Sequence, residues 1–298
     1  MKRLATLVMC LPLLAACSGN PVLNVLAPSS GYQAALKLIY DEGRNLRADI
    51  YQPEGAKGAP VVVFFYGGRW TTGDKEDYEF VGEALSSQGF IAVIPNLRQY
   101  PDVKFPAFVE DAAQAVKWTR SVIGRYGGDP SKLFVMGHSS GAHVAAMLAL
   151  NEAYLKGAGG SRHWLRGMIG LAGPYDFLPM TDPDLRDIFG PPEKFDQSQP
   201  INFVEGDNPP LLLMHGEDDE VVWVKNTHNL ARAVQKAGGT VETVYYRELS
   251  HNRIVSVLGA PLRSFADVLQ QAAQFINKYA YTDLPHKSVE GIKTTPLK

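Results

Sequence analysis

The chain of 298 residues is 45% hydrophobic and 20% charged, with a formal net charge of −2. Such a balance describes a globular chain long enough to bury a sizeable core in one α/β domain. There is no basic stripe with interleaved aromatics, which removes the electrostatic case for nucleic acid as a partner.

The first residues read as a targeting segment. Lys2 and Arg3 precede an apolar run over residues 4–14 that is too short to span a bilayer. The run ends in Leu14-Ala15-Ala16-Cys17, followed by Ser-Gly-Asn. This resembles a bacterial lipoprotein box, in which cleavage precedes the cysteine and the cysteine is lipidated. The expectation is a signal peptide over 1–16, lipid on Cys17, a tether over 17–32, and a place in the bacterial cell envelope, anchored to the membrane. Cys10 would leave with the signal and Cys17 would carry lipid, so no thiol remains for a disulfide or a cysteine metal site.

After the tether, residues 36–40 and 46–51 read as strands of a hairpin turned at Glu42-Gly43-Arg44-Asn45. Residues 60–66 form an unbroken β-branched and aromatic run, the pattern of a strand buried on both faces. The loop Gly67-Gly68-Arg69-Trp70 follows, then a helix over 75–88 closed by Gly89, and a strand over 90–94 stopped by Pro95. Apolar residues at 109, 112, 113, 116 and 123 make a helical stripe over 107–126. A strand over 133–136 leads into the serine motif described below. Beyond it come a strand over 165–171, a proline-rich insertion over 173–209, and a strand over 211–214. A helix over 223–237, a strand over 241–247 and a last helix over 261–279 complete the pattern, and 281–298 read as a polar tail. Strands alternating with helices imply one mostly parallel sheet covered on both faces, with functional groups in the loops after strand ends.

The chemistry centres on Gly137-His138-Ser139-Ser140-Gly141, between an apolar strand and an alanine-rich helix. Gly-x-Ser-x-Gly in that context is a nucleophile elbow, which exposes one hydroxyl at a sharp turn. A serine nucleophile needs a base, and the base needs an orienting acid. The motif orders them serine, acid, histidine. Residues 211–214 lead into His215-Gly216-Glu217-Asp218-Asp219-Glu220, and Glu248-Leu249-Ser250 leads to His251. His251 is therefore the candidate base. Several carboxylates compete for the acid, and at least two of the four belong to a solvated face. The amide of Ser140 is a donor for the oxyanion. His138 is read as facing away from Ser139, His143 as packed or hydrogen-bonded, and His215 as part of its strand end. No His/Asp/Glu spacing suggests a metal, and no Gly-x-Gly-x-x-Gly follows a strand.

Three motifs together carry a family resemblance over residues 36–280. They are the elbow, the Gly-Gly-x-Trp loop followed by Gly73-Asp74-Lys75, and His-Gly-x-x-Asp-x-x-Val from His215 to Val222. The chain resembles the α/β-hydrolase serine esterases, the group that includes hormone-sensitive-lipase-like esterases, arylformamidases and bacterial feruloyl-esterase-like proteins. The resemblance implies an α/β-hydrolase fold with a short lid-like insertion. It also implies hydrolysis of carboxylic esters of small molecules through an acyl-enzyme, with no cofactor. It places the acid on Asp219, with Asp218 as the alternative, and adds Gly68 and Arg69 to the oxyanion donors. Tyr66 stands where the family has a histidine that braces this loop, and its hydroxyl could brace it from farther out. Arg98 and Asp111 fall at structural positions that could pair. Trp70, Phe177 and Trp223 lie in loops near the site, where they could line a substrate pocket or merely pack. An amidase of the arylformamidase kind would use the same triad; a non-catalytic binding protein on this fold would not need all three members.

Overall fold

The computed structural model describes residues 21–282. The expectations for the signal peptide, Cys17 and the tail beyond residue 282 lie outside the described residues.

Eight strands form one sheet: β1 Tyr32–Asp41, β2 Leu46–Pro53, β3 Ala59–Phe65, β4 Ile91–Pro95, β5 Gly128–His138, β6 Leu165–Leu171, β7 Leu211–Gly216 and β8 Val241–Tyr246. Their order is β1-β2-β4-β3-β5-β6-β7-β8. β1 and β2 pair antiparallel, as do β2 and β4, and all pairs from β4 to β8 are parallel. This is the α/β-hydrolase fold expected from the sequence.

The two-residue period of the central strands divides the interior. Val61, Val63, Phe65, Leu133 and Val135 face one core, shared with helices α3 (Ala107–Val122) and α4 (Ser140–Leu150). Val62, Phe64, Phe134 and Met136 face the other, shared with α2 (Glu79–Ser87) and α9 (Val268–Ala280). Both faces are therefore dry, which is why these strands are continuous apolar runs. From β3 the chain moves to β4 on one side and then crosses to β5 on the other. The ends of β3 and β5 thus flank the point where strand order reverses, the place where open α/β sheets bind ligands.

Several elements depart from the expected boundaries for identifiable reasons. Residues 21–32 are not a free tether: α1 (Pro21–Val25) buries Leu23, and Asn24 accepts a hydrogen bond from the Phe80 amide at 3.0 Å and donates to the Glu76 carbonyl at 2.8 Å. Residues 75–88 divide into a 3₁₀ turn, Lys75–Tyr78, capped by Asp74, and α2. The helix expected over 261–279 starts only at Val268. Arg263 is drawn off to the Leu258 carbonyl and to the buried carboxylate of Glu83, and Phe265 is exposed.

Residues between β6 and β7 form a compact insertion made of α6 (Pro183–Phe189) and 3₁₀ turns at Pro192–Ser198 and Pro200–Phe203. It lies against the loops after β3 and β4. Asp182 pairs with Arg69 at 2.5 Å, Asp187 binds Tyr100 and Lys104, and the Ile188 carbonyl accepts from the Phe105 amide at 3.0 Å. The remaining helices are α5 (Glu152–Gly157), α7 (Lys225–Lys236) and α8 (Arg253–Ser256).

Candidate active site

The turn from β5 into α4 forces Ser139 to φ 53° and ψ −123°, a conformation that costs a non-glycine residue about 1–3 kcal/mol. Neighbouring contacts impose it. The Ser139 amide still donates along the sheet to the Leu171 carbonyl at 2.9 Å, while its carbonyl already accepts from His143 at 3.1 Å inside the helix. The flanking glycines make this possible. A Cβ on Gly137 would lie 2.2 Å from the Gly141 carbonyl oxygen, and one on Gly141 would lie 2.0 Å from that of Phe65. Strand, helix and the end of β3 are packed backbone to backbone.

His251 reaches the serine from the loop after β8. Its Nε2 lies 2.8 Å from Ser139 Oγ, and its Nδ1 lies 2.7 Å from Asp219 Oδ2. Asp219 comes from the loop after β7 and is buried, whereas Glu217, Asp218 and Glu220 around it are exposed. Asp219 Oδ1 accepts the amides of Val221 and Val222 at 2.9 and 2.8 Å. Burial works to raise its pKa, but hydrogen bonds from His215 and His251 and the charge of His251 outweigh it, and Asp219 is held below the ordinary carboxylate range.

Two further histidines support this arrangement, and the sequence reading had missed the role of both. His138 does not face away from the site: its Nε2–H donates to the His251 carbonyl at 2.8 Å, and the two rings lie 4.9 Å apart. Burial, with the charge of His251 adding to it, lowers His138 to about 3. His215 Nε2 lies 2.8 Å from the Val222 carbonyl and 3.2 Å from Asp219 Oδ2, while Thr227 binds its Nδ1 at 2.7 Å. It thus fastens the acid loop to β7 and α7. Four-residue spacing to the acid was the only sequence signal for it.

The loop after β3 presses against Ser139. A Cβ on Gly67 would stand 3.1 Å from Ser139 Cβ, and one on Gly68, at φ 141°, would strike the Thr72 carbonyl at 2.0 Å. Arg69 and Trp70 follow at φ 56° and 61°. Among the described residues, the amides of Gly68, Arg69 and Ser140 donate to no protein acceptor. Tyr66 braces the loop through a 2.8 Å hydrogen bond to Asn96 Oδ1, which also accepts from the Lys75 amide. Arg98 and Asp111 form a bidentate pair, with contacts of 2.7 and 2.9 Å.

Trp70 and Phe177 come together, 6.0 Å between ring centroids, in a cluster with Phe189 and His143. Trp70 and Phe108 also wall a cavity of about 30 Å³ beside Ser140 and Gly141. Trp223 does not join this cluster. It is 61% exposed on the acid loop, with the Lys225 ammonium 4.9 Å above its ring.

The isoprenylcysteine alpha-carbonyl methylesterase ICME of Arabidopsis thaliana is 29% identical to this chain over 259 residues, covering 80% of the chain and 60% of the relative. Esterase LipQ of Mycobacterium tuberculosis is 29% identical over 243 residues, covering 74% of the chain and 57% of the relative. The chain thus spans between half and two thirds of the length of these relatives. Solved structures share the fold. An esterase of Pyrobaculum calidifontis superimposes with a TM-score of 0.74 at 23% identity, over 86% of this chain and 89% of that one. A truncated carbohydrate esterase from gut microbiota gives 0.73 at 20% identity, over 86% and 99%. The BD-FAE sequence model matches residues 48–234, a span that takes in the loop after β3, the turn at Ser139 and Asp219 and stops short of His251. Matched over more than half its length, the chain belongs to the BD-FAE family.

Proposed function

We propose that this protein is a serine carboxylesterase that hydrolyses carboxylic esters through an acyl-enzyme. The observation that carries the reading is the His251 imidazole bridging Ser139 Oγ at 2.8 Å and Asp219 Oδ2 at 2.7 Å. Asp219 accepts a hydrogen bond from the His251 Nδ1–H, which keeps the ring proton on Nδ1 and leaves Nε2 as the lone-pair nitrogen facing the hydroxyl. His251 takes the Ser139 proton as Oγ attacks the ester carbonyl. The negative charge that develops on the carbonyl oxygen meets the amides of Gly68, Arg69 and Ser140, with α4 beginning at the same point. His251 then returns the proton to the departing alcohol. Water, activated by the same imidazole, releases the acid from Ser139. Relatives named as methylesterase and esterase have an ester bond in common and differ beyond it, which supports the reaction class and no particular alcohol.

The test is a serine-directed fluorophosphonate probe with parallel hydrolysis of an aryl ester and an N-formyl anilide. The wild type is labelled and favours the ester. Ser139→Ala melts like the wild type, takes no label and loses nearly all turnover, down to what binding and the oxyanion hole alone supply. Undiminished turnover by pure Ser139→Ala protein refutes the assignment.

The lipid anchor on Cys17 belongs to the same proposal. Its support is the Leu14-Ala15-Ala16-Cys17 sequence at the end of a short apolar run. It puts the enzyme at a bacterial envelope membrane.

A further inference from the structure

Arg69 and Trp70 are consecutive residues in the left-handed region, at φ 56° and 61°. Side-chain-bearing residues occupy it at a cost of about 1–3 kcal/mol each, so surrounding contacts must hold them there. The contacts on Trp70 are specific. Its indole Nε1 lies 3.3 Å from His143 Nδ1, with the two rings perpendicular and 5.2 Å apart. His143 sits in the first turn of α4, fully buried, and its Nε2 lies 2.8 Å from the Ser198 carbonyl in the insertion. An indole N–H can only donate, so Nδ1 is the bare nitrogen; the proton is on Nε2 and is donated to Ser198. The chemistry leaves one tautomer. Burial, which lowers His143 to about 4, keeps the ring neutral as this requires. Phe105, Phe177 and Phe189 surround the ring at 5.6 to 6.4 Å and exclude water. The neighbouring Arg69 is tied to the same insertion through Asp182.

We propose that His143 is a positioning residue for the oxyanion loop, clamping the Trp70 indole to the Ser198 carbonyl of the insertion so that the strained Arg69-Trp70 backbone keeps the Gly68 and Arg69 amides aimed at the reacting carbonyl. The inference rests on the serine-esterase reading above. His143 touches no reacting atom and carries no proton in the reaction; it acts through Trp70.

The experiment compares His143→Phe, Trp70→Phe and the double variant. The Trp70 indole N–H resonance, identified among the four tryptophans by its loss in Trp70→Phe, reads the clamp without catalysis. It shifts in His143→Phe. Turnover of a small aryl ester falls about 10- to 100-fold in either single variant, short of the roughly 10²–10³-fold effect of deleting an oxyanion donor. KM stays within about threefold, because the loss falls on the transition state. Affinity for a trifluoromethyl ketone, which forms the oxyanion, drops in parallel with turnover. The double variant is no worse than the worse single one, since both break one linkage. His143→Gln, which keeps a side-chain acceptor, recovers part of the loss and stands in should His143→Phe fail to fold. An unmoved indole resonance overturns the clamp. A moved resonance with unchanged turnover, or losses that multiply in the double variant, overturns the positioning role. If the wild type cleaves no ester, the esterase reading fails, and the positioning role falls with it even if the resonance shifts.

Discussion

Asp219→Asn isolates what the carboxylate does for His251. Asp219 accepts hydrogen bonds from the amides of Val221 and Val222 on one oxygen and, on the other, from His251 Nδ1 and from His215 Nε2, which stands 3.2 Å away. Asparagine keeps the shape and one acceptor oxygen, which the two valine amides hold. Its NH₂ group then falls where two imidazole N–H groups already point. His251 relieves the clash by shifting its proton from Nδ1 to Nε2, and the nitrogen facing Ser139 becomes a donor. A base protonated there cannot accept the serine proton. The same substitution in a serine protease lowers turnover about 10⁴-fold, roughly 5.4 kcal/mol of barrier. Asp218 is exposed beside it. Asp218→Asn should stay within about fivefold of wild type, because an exposed charge contributes about 0–1 kcal/mol. The assay is kcat on an aryl ester at neutral pH for both variants, with thermal melts to show that each is folded. Asp219→Asn retaining more than about a tenth of wild-type turnover refutes the reasoning, and so does finding that Asp218→Asn is the crippled variant.

Gly141→Ala tests the elbow packing: its Cβ would meet the Phe65 carbonyl oxygen at 2.0 Å, backbone that cannot rotate away, so it should destabilise by at least the upper end of the ~1–3 kcal/mol typical of overpacking. A melt equal to wild type would show that the strand and helix are not in contact there. His138 and His143 are neutral in the folded state, held by burial at about 3 and about 4. Their folded pKa values are lower than the unfolded value of about 6.5, so their contribution to stability is complete above that pH and is lost as pH falls, by up to about 2.7 kcal/mol per pH unit while both titrate on unfolding. Urea unfolding across this range should show the slope, with a non-titrating residue at 143 removing about half of it; a flat profile refutes the assignment. Cys17→Ala should abolish labelling by a fatty-acid probe and block normal processing, and a mature N-terminus at another residue would rule out the anchor.

What the sequence alone determined was local or periodic. The two-residue period of 60–66 sends alternate side chains to opposite faces wherever the strand lies, so a sheet buried on both sides could be read directly. The elbow was equally legible, because a serine forced to positive φ between close-packed backbones needs glycine on both sides. Asp219 needed spacing and a resemblance, since four neighbouring acids look alike until the fold buries one of them. Long-range contacts decided the rest. The last helix begins late because Arg263 is drawn to Glu83, 180 residues away, and no property of residues 261–267 records that attraction. Asn24 caps α2 from 56 residues upstream, which turned an apparent tether into part of the body. The contact of the His138 ring with the His251 carbonyl spans 113 residues, and the Trp70–His143 pair spans 73. A polar side chain buried by folding must find its partner wherever the chain brings one, so its role is set by tertiary structure and not by its neighbours in sequence.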